Sequence, residues 1–146
     1  MSRLLGIAFL ALVLGSCSGS KIVKDNTDKC FPMRMDGDEY KMAKTTGLKI
    51  INMQIDNGCL IIEYQMKNAC KNTDFDLHWD YRVKKSLPPQ ATLKLNQTGD
   101  NDCGLTLKGK KKFDLKELTN PAFKGKIYLS VPPSTEKILF EFKTQS

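Results

Sequence analysis

The sequence "LKIINMQIDNGCLIIEYQMK", residues 48–67, predicts a β-hairpin, and no other feature constrains the fold as strongly. Asn57-Gly58 joins two apolar runs and supplies the two positive-φ residues that a type I′ turn requires. Counting outward from this turn places apolar residues on one face and sets Asn52 opposite Glu63 on the other. The predicted apolar pairs are Ile55 with Leu60, Met53 with Ile62, and Ile51 with Tyr64.

Later segments also alternate between apolar and polar residues, as short strands do. In "DFDLHWDYRV" one face carries only apolar and aromatic residues, which we expect in the core: Phe75, Leu77, Trp79, Tyr81 and Val83. A short strand is expected around Leu93 and Leu95, after a strand end at Pro88-Pro89, because proline cannot donate to a ladder. A final pair of strands is expected across residues 127–131 and 138–142.

Taken together, these segments predict an all-β fold. About seven strands without a βαβ rhythm favour an antiparallel, immunoglobulin-like β-sandwich, and a small β-barrel is the alternative. One short helical turn is expected in "FDLKEL", with Asp114 as its N-cap. We expect a single domain over residues 47–146.

The chain has five cysteines, of which Cys17 follows the long apolar stretch and the other four are expected to form two disulfides. A strand between Cys59 and Cys70 would hold them ~26 Å apart, beyond the ~7 Å limit between bridged Cα atoms. Two pairings remain. We prefer Cys70–Cys103 with Cys30–Cys59, because the second bridge would tie the N-terminal segment to the hairpin; Cys30–Cys70 with Cys59–Cys103 is the other. Zinc is disfavoured because no paired C-x₂-C is present.

The first residues predict export and lipid attachment. Leu4–Leu14 is apolar but shorter than the ~20 residues that cross a bilayer, so residues 1–16 are expected to be a signal peptide. Residues 14–17, "LGSC", resemble the lipobox of bacterial lipoproteins, in which the cysteine thiol is lipidated and becomes the first residue of the mature chain. Cys17 is therefore the predicted lipid anchor, and an ordinary signal peptide with a chance cysteine is the alternative.

Two acyl chains on Cys17 would hold the protein stably on a membrane of the bacterial cell envelope. Ser18 stands where an aspartate would favour the inner membrane, which favours the outer membrane. Residues 17–46 are expected to form the lipidated N-terminus and a tether. Within them "MDGDEY" lacks the spacing of a calcium loop and is expected to be a solvated turn.

A series of short motifs lies between Cys70 and Leu115: "C-x₄-F-x-L", "S-L-P-P", "L-x-L", "D-x-D-C" and "F-D-L". This order is similar to a group of small uncharacterised bacterial lipoproteins and lipoprotein-like domains, over residues 48–118. The resemblance implies a Cys70–Cys103 disulfide and no activity. Histidines of that group are replaced here by Thr73 and by Asn96 or Gln97, so a site built on them is not expected.

The sequence offers little for catalysis, and we expect no enzyme and no cofactor. His78 is the only histidine, and no G-x-S-x-G motif is present. Asp76, His78 and Asp80 alternate on one strand face and could reach one metal ion, so a metal-binding or metal-dependent protein is the alternative function. The favoured interpretation of these three residues is the solvated face of a half-buried strand.

The formal net charge of +7 favours acidic partners. The densest basic run, residues 108–112, predicts a basic patch of Lys108, Lys110, Lys111 and Lys112 that Lys84 and Lys85 could extend. A solvated loop with lysines beside strand edges is the alternative. No aromatic residues interleave the lysines, so nucleic acid is not an expected partner. We expect a membrane-anchored, non-catalytic envelope lipoprotein that binds an unknown envelope protein or an anionic polymer.

Overall fold

The computed structural model describes residues 21–144, which form ten strands, one α-helix and two 3₁₀ turns. The strands are β1 (Lys21–Phe31), β2 (Leu48–Asp56), β3 (Cys59–Ala69), β4 (Asp74–His78), β5 (Val83–Lys84), β6 (Gln90–Thr92), β7 (Lys94–Thr98), β8 (Leu105–Asp114), β9 (Lys126–Ser130) and β10 (Lys137–Glu141). The helix α1 spans Gly37–Met42, and the 3₁₀ turns span Lys116–Leu118 and Pro121–Phe123. The predicted signal peptide and Cys17 lie outside the described residues.

The strands form two four-stranded sheets and one two-stranded ladder. The first sheet has the order β1-β8-β3-β2, the second has the order β10-β9-β6-β5, and β4 pairs with β7. The sheets are not closed, so the architecture agrees with the predicted all-β sandwich and not with the barrel alternative. The pairings β1 with β8 and β6 with β9 are parallel, so the sheets are mixed and not purely antiparallel. No helix within residues 21–144 has the length and apolar character that a membrane crossing requires.

The predicted hairpin is confirmed as β2 and β3. Asn57 and Gly58 have φ values of 48° and 77°, as a type I′ turn requires. The pairs next to the turn form as predicted, but a bulge shifts the register farther out, so that Tyr64 faces Ile50 instead of Ile51. Ile51 is 51% exposed as a result, because one extra residue turns its side chain away from the core.

The basic run that we expected at the surface is part of β8, in the middle of the first sheet between β1 and β3. Alternate β8 residues face opposite sides of the sheet. Lys108 and Lys110 are exposed and Lys112 is half-buried, whereas Lys111 is only 2% exposed and lies in the core between Leu107 and Phe113. The loop interpretation of this run is therefore wrong, and so is the inclusion of Lys111 in a surface patch.

The folded domain begins well before residue 47, so the predicted tether is too long. Strand β1 pairs with β8, Met33 is buried in the core, and the helix α1 buries Tyr40. The "MDGDEY" stretch is the start of this helix and not a solvated turn. The Asp36 carboxylate caps it by accepting hydrogen bonds from the backbone N–H groups of Asp38 (2.8 Å) and Glu39 (3.1 Å).

The predicted core face holds for Phe75, Leu77 and Trp79, which are buried. It fails at Tyr81, which is 62% exposed. Strand β4 ends at His78 and Tyr81 has a φ of 63°, so the strand alternation does not continue to this residue.

Both preferred disulfides are confirmed. Cys30–Cys59 has a Cα–Cα distance of 6.2 Å and ties the end of β1 to the start of β3. Cys70–Cys103 has a Cα–Cα distance of 4.9 Å and ties the end of the β3 segment to the start of the β8 segment. Each bridge closes a loop of about thirty residues, as the sequence separations of 29 and 33 show. The chain-entropy model assigns such loops ~3–4 kcal/mol of stability each.

Candidate functional site

An apolar groove of about 910 Å³ lies between two surface segments, residues 83–89 and residues 122–126. Its volume is within the range of small-ligand sites, ~300–1,000 Å³. Apolar side chains line most of it: Val83, Leu87, Pro88, Pro89, Ala122 and Phe123. Leu87 is 95% exposed, a cost in free energy that a bound apolar group would remove.

Four lysines also line this groove, two from each segment: Lys84, Lys85, Lys124 and Lys126. All four are exposed, and Ser86 is the only other polar residue along the groove. No lining residue carries a carboxylate that could neutralise them. Outside the lining, Glu141 stands opposite Lys126 in the ladder of β9 and β10 and offsets part of its charge. The groove therefore combines an apolar surface with an excess of positive charge, which favours a ligand that is both apolar and negatively charged.

The first wall of the groove is the connection from β5 to β6. Its two ends are held by antiparallel pairing of Val83 with Ala91 and of Lys84 with Gln90. The Ser86 hydroxyl donates to the carbonyl of Pro88 at 2.6 Å and accepts a hydrogen bond from the Gln90 side chain at 3.1 Å. These hydrogen bonds lie within the "SLPP" loop and its link to β6, and the Leu87 side chain of that loop is exposed.

The second wall follows the 3₁₀ turn Pro121–Phe123. The Asn120 side chain caps this turn by accepting from the N–H of Ala122 at 2.9 Å. Gly125 has a φ of 80°, and a Cβ atom at this position would lie 3.0 Å from the carbonyl oxygen of Phe142, so only glycine fits without strain. The sharp bend at Gly125 places Lys124 and Lys126 on the groove.

A second cleft of about 420 Å³ adjoins the groove and shares Val83 and Lys84 with it. Arg82 and Lys94 add positive charge there, although Asp80 pairs with Arg82 at 2.6 Å. The Lys94 ammonium lies 4.5 Å from the centre of the Tyr40 ring, a cation–π contact that fixes it beside the cleft. The positive surface therefore extends beyond the groove itself.

The structure does not bring Asp76, His78 and Asp80 to one point. Asp76 lies 3.6 Å from Arg34, His78 lies 3.6 Å from Glu39, and Asp80 pairs with Arg82. Within residues 21–144 no three His, Cys, Asp or Glu side chains are grouped so that they could hold a metal ion. The expected solvated face is also wrong at His78, because this side chain is 2% exposed.

Lys111 is held in the core by contacts that the sequence did not reveal. Its ammonium donates to the carbonyl oxygen of Phe75 at 2.5 Å and pairs with Asp74 at 3.0 Å. It also lies 4.8 Å from the ring centre of Phe31 and 5.5 Å from that of Phe113. These contacts compensate a buried cation, so Lys111 is a structural residue and is not available to a surface ligand.

Only one wall of the groove is foreshadowed in the sequence. Lys84 and Lys85 were expected to extend the basic patch, whereas Lys124 and Lys126, which come from a distant part of the chain, were not expected to join them. The one local signal was the "KKSLPP" run, in which an exposed leucine stands between lysines and prolines.

No known protein identifies a family or a function for this chain. No protein-family model matches the chain, and no curated protein matches it. A protein of unknown function, DUF1344, from Bacteroides vulgatus has a TM-score of 0.49 and 15% identity, over 86% of this chain and 56% of that one. A protein described as toxin-related from Parabacteroides distasonis has a TM-score of 0.48 and 17% identity, over 79% and 61%. This chain spans less than two thirds of either protein.

Proposed function

We propose that this protein is a lipid-anchored, non-catalytic binding module of the bacterial cell envelope. The observation that carries the proposal is the groove, which joins apolar residues to four lysines without a carboxylate among its lining residues. The anchor is inferred from the lipobox-like residues 14–17, with Cys17 as the lipidated residue. Rigid strands position the two loops of the groove, as is common for binding surfaces on β-sandwiches.

The composition of the groove supports binding and not catalysis. Its lining residues include no histidine, cysteine, aspartate or glutamate, so it lacks the base that a serine nucleophile needs. His78, the only histidine of the chain, is buried against Glu39 and does not line the groove.

The ligand class follows from the two kinds of surface. Covering an exposed leucine removes its apolar area from water, worth ~1.5–3 kcal/mol when burial is complete. Lysines near an anionic lipid surface contribute ~1 kcal/mol each at physiological ionic strength. A ligand with an apolar part and negative charges uses both contributions, and binding should weaken as salt concentration rises.

A fluorescent fatty acid, dansyl-undecanoate, tests this proposal because it is both apolar and anionic. We expect saturable fluorescence enhancement with the mature protein. The double variant Lys85→Gln/Lys124→Gln, which removes one charge from each wall, should bind about tenfold more weakly. Leu87→Ser should also weaken binding while leaving the stability unchanged, since Leu87 is exposed.

The matched control is Lys108→Gln/Lys110→Gln, which removes two exposed lysines of β8 outside the groove. This variant has the same change in net charge, so equal loss of binding in both double variants would point to general charge attraction. That result, or full binding by all variants, would contradict the assignment of the groove as the ligand site.

A further inference from the structure

We infer that the groove opens at the end of the domain opposite the lipid anchor, and that its occupant is an acidic protein segment with apolar side chains. This inference rests on the proposed function, because it assumes the anchor at Cys17 and the groove as the binding surface. It adds the direction in which the site faces and the kind of partner that it fits.

The direction of β1 defines the two ends of the domain. Lys21, at the start of β1, pairs with Thr106 near the start of β8, and Phe31 pairs with Phe113 near its end. The β2–β3 turn lies at that second end, where Leu115 donates its N–H to the carbonyl of Gly58 at 3.0 Å. We call the end at Lys21 the anchor end and the end at Phe31 the distal end.

The wall at residues 122–126 lies at the distal end of the domain. It is reached along the chain from the end of β8, through Leu115 and the two 3₁₀ turns. Strand β9 then runs back, and the β9–β10 turn at residues 133–136 lies beside the first half of β2, toward the anchor end. The Lys126 end of β9 is therefore the distal one.

The wall at residues 83–89 also lies toward the distal end. Cys70, which precedes β4, follows Ala69, the partner of Leu105 at the start of β8. Strand β4 then passes Lys111 and ends at His78, which bridges to Arg34, three residues beyond the end of β1. Residues 83–89 continue from that point, so both walls meet at the distal end.

The chain between the anchor and the domain is short. Only Ser18, Gly19 and Ser20 separate Cys17 from Lys21, and four extended steps reach at most ~14 Å. Strand β1 has 11 residues, but a bulge lets its ends pair with Thr106 and Phe113, seven steps apart on β8, so it spans roughly 23 Å at ~3.3 Å per residue. The domain is thus longer than its tether, so it cannot invert to press its distal end onto the anchoring bilayer. When the domain stands upright on its tether, the groove faces the space beyond that membrane.

Three kinds of ligand could reach the groove, and its lining residues fit them unequally. An anionic sugar polymer would satisfy the lysines but leave Leu87, Pro88 and Phe123 without apolar partners. A free lipid would leave part of its acyl chain in water, because the groove is an open surface with Leu87 95% exposed. An acidic peptide with apolar side chains fits both: its carboxylates pair with lysines on either wall and its apolar side chains cover the floor.

Site-specific photo-crosslinking of the lipidated, full-length protein in its native host tests this inference. The photoreactive residue p-benzoylphenylalanine would replace Leu87 at the groove, and, as the control position, exposed Lys67 toward the anchor end. We expect a discrete protein adduct from position 87 and none of the same mass from position 67. Mass spectrometry should map the adduct to a segment with more acidic than basic residues and at least one large apolar residue.

Charge variants complete the test. Lys85→Gln/Lys124→Gln should reduce the adduct from position 87 about tenfold, and Lys108→Gln/Lys110→Gln should leave it unchanged. Adducts with lipid alone, no adduct, a neutral or basic partner segment, or the same adduct from position 67 would each overturn the inference. If dansyl-undecanoate still binds in the groove, such a result refutes the acidic partner only; if that probe also fails to bind, the proposed function fails with it.

Discussion

Two buried polar side chains show how single residues in this protein depart from their expected roles. Lys111 and His78 both looked like surface residues in the sequence, and both are 2% exposed. Lys111 has a carbonyl, a carboxylate and aromatic rings around its ammonium group, and these contacts compensate its burial in the core. Within residues 21–144 neither ring nitrogen of His78 has a hydrogen-bond partner, and burial of the imidazole disfavours its charged form.

The buried His78 makes stability depend on pH. Burial lowers its pKa below the usual value of 6.5; the nearby carboxylates of Glu39, Asp76 and Asp36 oppose this shift in part, and Arg34 adds to it. Above pH ~6.5 the imidazole is neutral in the folded and unfolded chains, so its contribution is complete. As the pH falls through 6.5 the unfolded chain binds a proton that the folded chain resists, and stability decreases until the lowered pKa is reached.

Urea unfolding between pH 7.5 and pH 5 measures this effect. The wild type should lose more stability on acidification than His78→Gln, which cannot take up the proton, and the difference should level off below the folded-state pKa. Equal pH dependence in the two proteins would show that His78 is not held neutral by the fold.

At the scale of elements, β1 is the strand that depends most on the rest of the molecule. It lies at the edge of the first sheet, pairs only with β8 within the described residues, and has a register shift between Asn26 and Cys30. Its sequence, "KIVKDNTDKCF", is polar and does not alternate, so its own propensity for a strand is weak. The Cys30–Cys59 disulfide fixes its end to the hairpin.

Removing that disulfide should therefore affect β1 before other strands. We expect Cys30→Ser/Cys59→Ser to lose ~3 kcal/mol of stability and to lose amide exchange protection in β1 first. Cys70→Ser/Cys103→Ser, with a loop of similar length, should lose a similar free energy while β1 stays protected. Hydrogen exchange with mass spectrometry distinguishes them, and equal exchange of β1 in both variants would contradict this role of the bridge.

At the scale of the whole molecule, the sequence predicted those features that depend on residues close together in the chain. Asn57-Gly58 fixed the hairpin, alternation placed Phe75 and Leu77 in the core, and the strand length between Cys59 and Cys70 excluded one pairing. Features that depend on distant residues escaped prediction. The β8 lysine run became an interior strand because Asp74 and aromatic rings compensate Lys111, and no pattern in "KGKKK" shows those partners. The groove was not predicted because its two walls, residues 83–89 and 122–126, come together only when the chain folds.

The lipid anchor is tested on the intact protein in its host. Cys17→Ser should abolish labelling with radioactive palmitate and move the protein from the membrane fraction to the soluble envelope fraction, because the acyl chains supply the attachment. Lys85→Gln/Lys124→Gln should remain in the membrane fraction. Undiminished membrane association of the Cys17→Ser protein would show that another part of the chain holds it there.

If the proposed anchor and partner are right, the parallel pairing of β1 with β8 has a mechanical consequence. A pull between Cys17 and a partner in the groove would enter the domain at the start of β1 and act on its ladder with β8. Such a force loads the hydrogen bonds of the ladder together in shear and does not open them one after another from an end. If the ladder slips, the tension passes to the covalent Cys30–Cys59 link and from there to the hairpin. The fold would thus place a strong connection between the two proposed points of attachment.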